Sequence, residues 1–223
     1  MKILYEDRQI LVCVKPAGIP VQSASVGTKD MVSILRNYRV EKERESYVGL
    51  VHRLDQPVQG VMVFAKTKAA AAELSRQVSD GRMKKQYLAV VCGKPAEKEG
   101  VLVHYLLKDG RTNTSAIVKK ETKGAKRAEL SYRIVREMQG FALAQINLVT
   151  GRHHQIRVQM AGAGMPLAGD RKYNRGEGAD ASKYVALAAH RLEFFHPVTG
   201  KKLCFEEEPE GELFVALRHG MDS

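Results

Sequence analysis

"HRLDQPVQGVMVFAKT", residues 52 to 67, is the stretch from which the rest of the chain is most readily read. An acid, Asp55, stands two positions after a base, Arg53, and the chain then runs into Val61-Met62-Val63-Phe64. A short apolar run between Gly60 and a Lys-Thr pair has the length and composition of a strand, so residues 60 to 65 are expected to be one. The alanine-rich "KAAAAELSRQVSD" that follows predicts a helix, with Gly81 at the C′ position. On chemistry alone Asp55 has three readings: a cap or turn acid, half of a structural ion pair, or a nucleophile.

Upstream, "ILVCV" at 10 to 14 reads as a buried strand stopped by Pro16 and a turn at Gly18. Met31, Ile34, Leu35 and Tyr38 follow the i, i+3, i+4, i+7 rule, predicting a helix over 31 to 39 with Asp30 as N-cap. The run "EKERE" at 41 to 45 reads as a solvated connection. Downstream, strands are expected at "KQYLAVV", at 101 to 107, 114 to 119, 130 to 134 and 141 to 149. Leu130, Tyr132 and Ile134 alternate with Ser131 and Arg133, the mark of a strand with one wet face. "HHQIRVQMAG" predicts a helix with Ile156, Met160 and Ala163 on one face and His153 and Arg157 on another. Strands at 185 to 195 and 201 to 206 flank the turn "HPVTGK", and "GELFVALRHG" predicts a final helix. Many strands joined by hairpin turns, with a few helices between, point to the α+β class: a mixed, largely antiparallel sheet flanked by helices. No repeat or linker divides the chain, so residues 1 to 223 are expected to form one domain.

The composition narrows the partners. Thirty-six Lys and Arg against twenty-five Asp and Glu leave a formal charge of +11. An excess of that size favours a polyanion, because each neutralised phosphate releases condensed counterions. The three cysteines, Cys13, Cys92 and Cys204, are far apart and lack CxxC spacing. Each lies in an apolar stretch, which predicts buried thiols rather than disulfides or a zinc site. The N-terminal residues are interrupted by Glu6, Asp7, Arg8 and Lys15, so neither a signal peptide nor a membrane span is expected. A cytoplasmic protein follows, monomeric by default.

With these elements in place, the chain resembles the RluA-type RNA pseudouridine synthases. "VHRLDQPVQGVMVFAKT" is similar to that family's HRLD motif, which usually continues through two variable residues to TSG, an apolar strand and AKT. "ILYEDRQILVCVKPAGIPV" resembles the first motif, and "KQYLAVV" the K-x-Y segment. "TGRHHQIRVQMAGAGMPLAGDRKY" resembles GRTHQIR followed by a G-D-x-x-Y turn, and "ALAAHRLEFFHPVTGK" the last strand pair. Blocks in this order supply the context that a lone tetrapeptide lacks. The chain departs from the pattern at Val58-Gln59, where Thr-Ser is usual, at His153, where Thr is usual, and at Gln159, where His is common. These departures bear on substrate preference or local packing.

The resemblance implies a pseudouridine synthase fold and isomerisation of uridine in structured ribosomal or transfer RNA. It implies Asp55 as the catalytic nucleophile and Arg157 as the cation that pairs with it. Tyr87 would stack on the target base and share in proton removal from C5. Arg53 and Arg152 are expected to contact the RNA, Arg53 by displacing the everted base or anchoring a phosphate. The chemistry fits. Breaking an N-glycosidic bond and rejoining the uracil through C5 needs an anionic nucleophile or charge stabiliser. The reaction involves no redox change and no phosphoryl transfer, so no cofactor and no metal are expected. Burial alone would raise the acid's pKa, so a neighbouring cation must hold it ionised; such pairing lowers a carboxyl pKa by ~1–3.

Two other functions compete. A non-catalytic RNA-binding protein would account for the altered Val58-Gln59 pair, and a phosphate contact on a solvent-facing helix is the alternative role for Arg157. A glycosidic hydrolase would need a second carboxylate beside Asp55, for which Asp170 is the candidate.

Overall fold

The computed structural model describes residues 1–24, 27–93 and 95–219. In chain order the elements are β1 (Ile3–Glu6), β2 (Ile10–Lys15), α1 (Met31–Glu43), β3 (Gly49–Leu50), β4 (Gln59–Ala65), α2 (Lys68–Ser79), β5 (Lys84–Cys92), β6 (Glu99–Asp109), β7 (Thr114–Val118), β8 (Lys126–Met138), β9 (Phe141–Leu148), α3 (Gln155–Gly162), β10 (Leu187–Phe195), β11 (Lys202–Glu206) and α4 (Glu212–His219). A 3₁₀ turn covers Glu177–Asp180. Among the described residues the class is the expected α+β, with a mixed, largely antiparallel sheet and four helices. Among the described residues no helix is long and apolar enough to cross a membrane. The chain divides into two compact units, one of residues 1–85 and 189–208, the other of 86–188 and 209–223.

In the first unit β1 runs antiparallel to β2, and β2 to β4. The two-residue β3 pairs with the end of β4, while β10 lies beside β4 and carries β11 antiparallel on its other side. Ile10 and Val12 of β2, Val61 and Val63 of β4, Ala70 and Leu74 of α2, and Leu192 and Phe194 of β10 form one buried cluster. Gly60, the second residue of β4, has a positive φ of +129°, and a Cβ there would sit 2.3 Å from the carbonyl oxygen of Ala189. Only glycine allows the backbones to meet so closely.

Helix α1 begins as predicted. The Asp30 carboxylate accepts from the Ser33 amide, and the Ser33 hydroxyl accepts from the Asp30 amide, a reciprocal cap. The helix does not stop at 39. Glu41, Lys42 and Glu43 form its last turn, so the expected solvated connection is partly helical. The reason is tertiary: Glu43 pairs with Arg39 and with the buried Lys66, and Arg39 donates to the carbonyls of Tyr47 and Lys66. Asp7, in the turn between β1 and β2, accepts from the amides of Gln9 and Ile10 and contacts His196 Nε2 at 2.8 Å. His196 Nδ1 accepts from the amides of Val198 and Thr199, so it is Nε2 that carries the proton and donates to Asp7.

The second unit is an antiparallel set in the order β5-β9-β8-β6-β7. Gln139 and Gly140 join β8 to β9, both with positive φ, as a tight hairpin turn requires. Ala128, Leu130, Tyr132 and Ile134 point inward from β8 and Arg133 outward, which is the predicted alternation. Leu88 and Val90 of β5, Leu143 of β9, and Phe214 and Leu217 of α4 close a second buried cluster. Gly220, at the end of the predicted last helix, lies outside the described residues.

Two expectations are corrected here. Helix α3 is not amphipathic: every residue from Gln155 to Met160 is buried. The cysteines also differ, since Cys13 is buried, Cys92 half-buried and Cys204 exposed. Cys204 lies on β11, which among the described residues pairs with β10 alone.

Candidate active site

Along residues 52 to 55 the side chains alternate. His52 and Leu54 are buried, Arg53 is exposed and Asp55 is half-buried. His52 Nε2 accepts the amide of Val63 at 3.2 Å, so the neutral ring carries its proton on Nδ1. Burial, and after it the charge of Lys85, holds its pKa well below the ordinary range. His52 Nδ1 has no hydrogen-bond partner among the described residues. The histidine of the motif therefore props the following strand and brings no charge.

After Asp55 the backbone turns, and the Val58 amide donates to the Asp55 carbonyl at 3.0 Å. The Gln56 carbonyl accepts from the Gly18 amide (2.9 Å) and from Lys15 Nζ (3.0 Å), while Gln56 Nε2 donates to the Gly18 carbonyl (3.0 Å). Lys15 Nζ also donates to the carbonyls of Pro16 and Ile19, at 2.9 and 2.7 Å. Lys15 is fully buried. Burial pushes its pKa down to about 8, and the negative charge of Asp55 works in the opposite direction. The loop after β2 and the turn bearing Asp55 are thus tied together. Val58 is buried in this unit, so its departure from the usual Thr is a matter of packing.

Tyr87 lies in the second unit, on β5 opposite Ile146 of β9, and is 6% exposed. Lys85, at the start of the same strand, is held down to about 8 by burial. Arg157 of α3 makes a two-pronged pair with Asp170: Nε to Oδ2 and Nη2 to Oδ1, both at 2.7 Å. The side chains are 4% and 0% exposed. Asp170 also accepts from the amides of Lys172 and Tyr173. Gly169, at φ +72°, sets it in place, since a Cβ there would lie 2.3 Å from the Tyr184 carbonyl. The Arg157 guanidinium stands over the Tyr173 ring, 5.2 Å from its centroid. The phosphate-contact alternative for Arg157 is overturned, because a group this buried and paired is not on a solvent-facing helix.

His153 and His154 are not on the helix. His154 takes a left-handed conformation, φ 53°, just before α3, and the two rings stack with centroids 3.8 Å apart instead of pointing apart as on a helix. His153 Nδ1 meets Ser115 Oγ at 2.9 Å and its Nε2 meets Asn113 Oδ1 at 3.1 Å. Tyr173 OH accepts the Ser115 amide and contacts His154 Nδ1 at 2.8 Å. Burial, and after it neighbouring cations that include Arg157, pushes His153 down to about 4 and His154 to about 3, so both rings are neutral near pH 7. Gln159 donates to the Leu102 carbonyl from a fully buried position, a packing role. Arg152 is exposed, with Nε on the Arg127 carbonyl at 2.9 Å.

In the first unit, then, Asp55 is joined to the Lys15 loop; in the second, Arg157 is joined to Asp170 and Tyr173. The sequence reading missed Lys15 and Tyr173, and treated Asp170 only as a spare acid. Both second-unit residues lie in the quoted "GDRKY", whose Gly-Asp pair and Tyr three residues on are the signal that was available.

Comparison with known proteins bears on the whole arrangement. Residues 9–162 match the family model described as RNA pseudouridylate synthase. The chain is 38% identical over 209 residues to the dual-specificity RNA pseudouridine synthase RluA of Salmonella typhimurium strain LT2, covering 92% of this chain and 91% of that protein. It is 36% identical over 228 residues to the ribosomal large subunit pseudouridine synthase D of Nitrosomonas europaea, covering 98% of this chain and 64% of that longer protein. Among solved structures, human RNA pseudouridylate synthase domain containing 4 shares the fold, with a TM-score of 0.79 and 23% identity over 98% of this chain and 92% of its own. The motifs and these matches agree, and the chain belongs to the RNA pseudouridylate synthase family as an RluA-type enzyme.

Proposed function

We propose that this chain converts uridine to pseudouridine in structured ribosomal or transfer RNA, with Asp55 as the nucleophile. One observation carries the assignment of Asp55: it ends the HRLD motif on a turn tied by hydrogen bonds to a buried lysine, inside the residues that match the family. A carboxylate on a mobile turn could not be presented reproducibly to a sugar or base, and positioning of this kind is where much of the rate comes from. In this reading Tyr87 stacks on the uracil and takes part in removing the C5 proton. Arg157 supplies positive charge to the Asp55 carboxylate while its own geometry is set by Asp170. Arg53 and Arg152, both exposed, contact the RNA, and the target base leaves its stack to reach the acid. The two compact units act as one catalytic domain, as a monomer. We place the reaction in the cytoplasm on the strength of the three free, dispersed cysteines.

Two observations weigh against the competing functions. Asp170 is fully buried and occupied by Arg157 and two amides, which removes the candidate second acid of a hydrolase. Val58 is buried, so the altered pair needs no loss of catalysis to account for it.

The test is to incubate the protein with RNA labelled in its uridines and follow the base. Pseudouridine is expected; free uracil would establish the hydrolase, and unchanged uridine a binding module. Asp55→Asn should abolish turnover with RNA affinity nearly unchanged, and a fully active Asn variant would remove Asp55 from the mechanism.

A further inference from the structure

We propose that the half-buried His153 ring, stacked on His154 between two exposed lysines, is a platform on which a second unpaired base of the RNA stacks, other than the target uridine. The inference rests on the reading that the chain acts on structured RNA, and it names a residue that selects which unpaired segments are accepted.

All the residues concerned lie in the second unit. The His153 ring covers the buried His154 ring with 3.8 Å between centroids and the planes 25° apart. Both of its nitrogens are taken, Nδ1 by Ser115 Oγ at 2.9 Å and Nε2 by Asn113 Oδ1 at 3.1 Å. With one face and both polar edges occupied, the exposure that His153 keeps falls on its outer face. The ring is neutral near pH 7, so that face offers a base a π surface and offers a phosphate no charge. Its neighbours supply the charge. Lys172 donates to the Asn113 carbonyl at 2.8 Å, and Lys108 stands opposite Ser115 across the β6–β7 ladder, where the two side chains share a face. Both lysines are exposed. A flat, uncharged ring between cations suits a single strand, with a base on the ring and the backbone on the ammonium groups. A paired duplex presents no free base face to such a ring. The platform is also fixed in place: His154 Nδ1 meets Tyr173 OH at 2.8 Å, and the Arg157 guanidinium stands over the Tyr173 ring. A face held this firmly loses little freedom when a base settles on it.

The probe is a short RNA hairpin whose unpaired loop holds one uridine, with a fully paired RNA duplex as control. The imidazole C–H signals of His153, identified by their loss in His153→Phe, are followed by NMR as each RNA is added to the intact protein. A base on the ring should carry these signals upfield with the hairpin and not with the duplex. Signals that stay put while the hairpin binds, or that move equally with the duplex, overturn the proposal. Two variants then separate the ring from its hydrogen bonds. His153→Phe keeps the flat face and loses both nitrogens, whereas His153→Asn keeps a polar group for Ser115 and loses the face. The Asn variant should bind the hairpin roughly tenfold more weakly, with KM rising and kcat nearly unchanged, while the Phe variant should bind like the intact protein. Asn binding at full strength overturns the proposal. So does Phe binding as weakly as Asn, because the contribution of His153 would then be its hold on Ser115 and Asn113. The two readings fail separately. A loop uridine left unaltered counts against the isomerase whatever the signals do, whereas pseudouridine formed with unmoved signals sinks only the platform.

Discussion

The guanidinium of Arg157 and the carboxylate of Asp170 are held by two hydrogen bonds of 2.7 Å in a place water does not reach. Such a pair adds little net stability, but removing one partner strands the other. Asp170→Asn should therefore cost about 3–5 kcal/mol in urea unfolding at pH 7, an effect far above that of an exposed pair. Loss of less than about 1 kcal/mol would mean that Arg157 is held by its other contacts. At this scale the sequence was partly legible. Asp55, Tyr87 and Arg157 stand out because they lie inside motifs. Lys15 does not, because a lysine before Pro reads as an exposed charge, and only the fold reveals that its head is surrounded by the carbonyls of Pro16, Ile19 and the distant Gln56. The stacking of His153 on His154 was likewise illegible, since it depends on one left-handed backbone torsion in a residue that rarely adopts it.

Strands and helices were largely legible from periodicity, and their ends were not. The capped start of α1 was readable from Asp30 alone, whereas its extension through Glu43 depends on Lys66 and Arg39. Helix α3 misled because it is buried all round, so its pattern carries no contrast between faces. Two predictions belong here. Gly60→Ala forces a methyl group into the Ala189 backbone at a torsion alanine avoids, and should lower the melting temperature by the equivalent of ~1–3 kcal/mol or more. An unchanged melting temperature would show that β4 and β10 can part at little cost. Glu6 of β1 is the second case. Burial raises its pKa, but hydrogen bonds from Lys42, Lys66 and Tyr38 outweigh this and bring it down to about 2 from an ordinary 4.5. A folded value below the unfolded one means stability that is complete above pH 4.5 and lost as pH falls toward 2. That contribution reaches at most about 3 kcal/mol. Glu6→Gln should thus flatten acid unfolding over this window while lowering stability at neutral pH, and a parallel acid transition would contradict the assignment.

For the molecule as a whole, the charge of +11 sets how it meets RNA. The logarithm of affinity should fall linearly with the logarithm of salt, with a slope of ~0.7–0.9 for each phosphate neutralised. Arg53→Ala and Arg152→Ala should each reduce that slope by about 1, whereas Asp55→Asn should leave it alone. An unchanged slope in either arginine variant would remove that residue from the RNA contact.

The first unit, finally, is discontinuous: its strands β10 and β11, and the hydrogen bond from His196 to Asp7, come from residues made long after the rest of it. During synthesis, residues 1–85 must wait for more than a hundred later residues before their missing strands leave the ribosome. The second unit waits too, for α4. The nascent chain thus completes neither unit from one continuous run of residues: the first needs β10 and β11, and the second needs α4 after them.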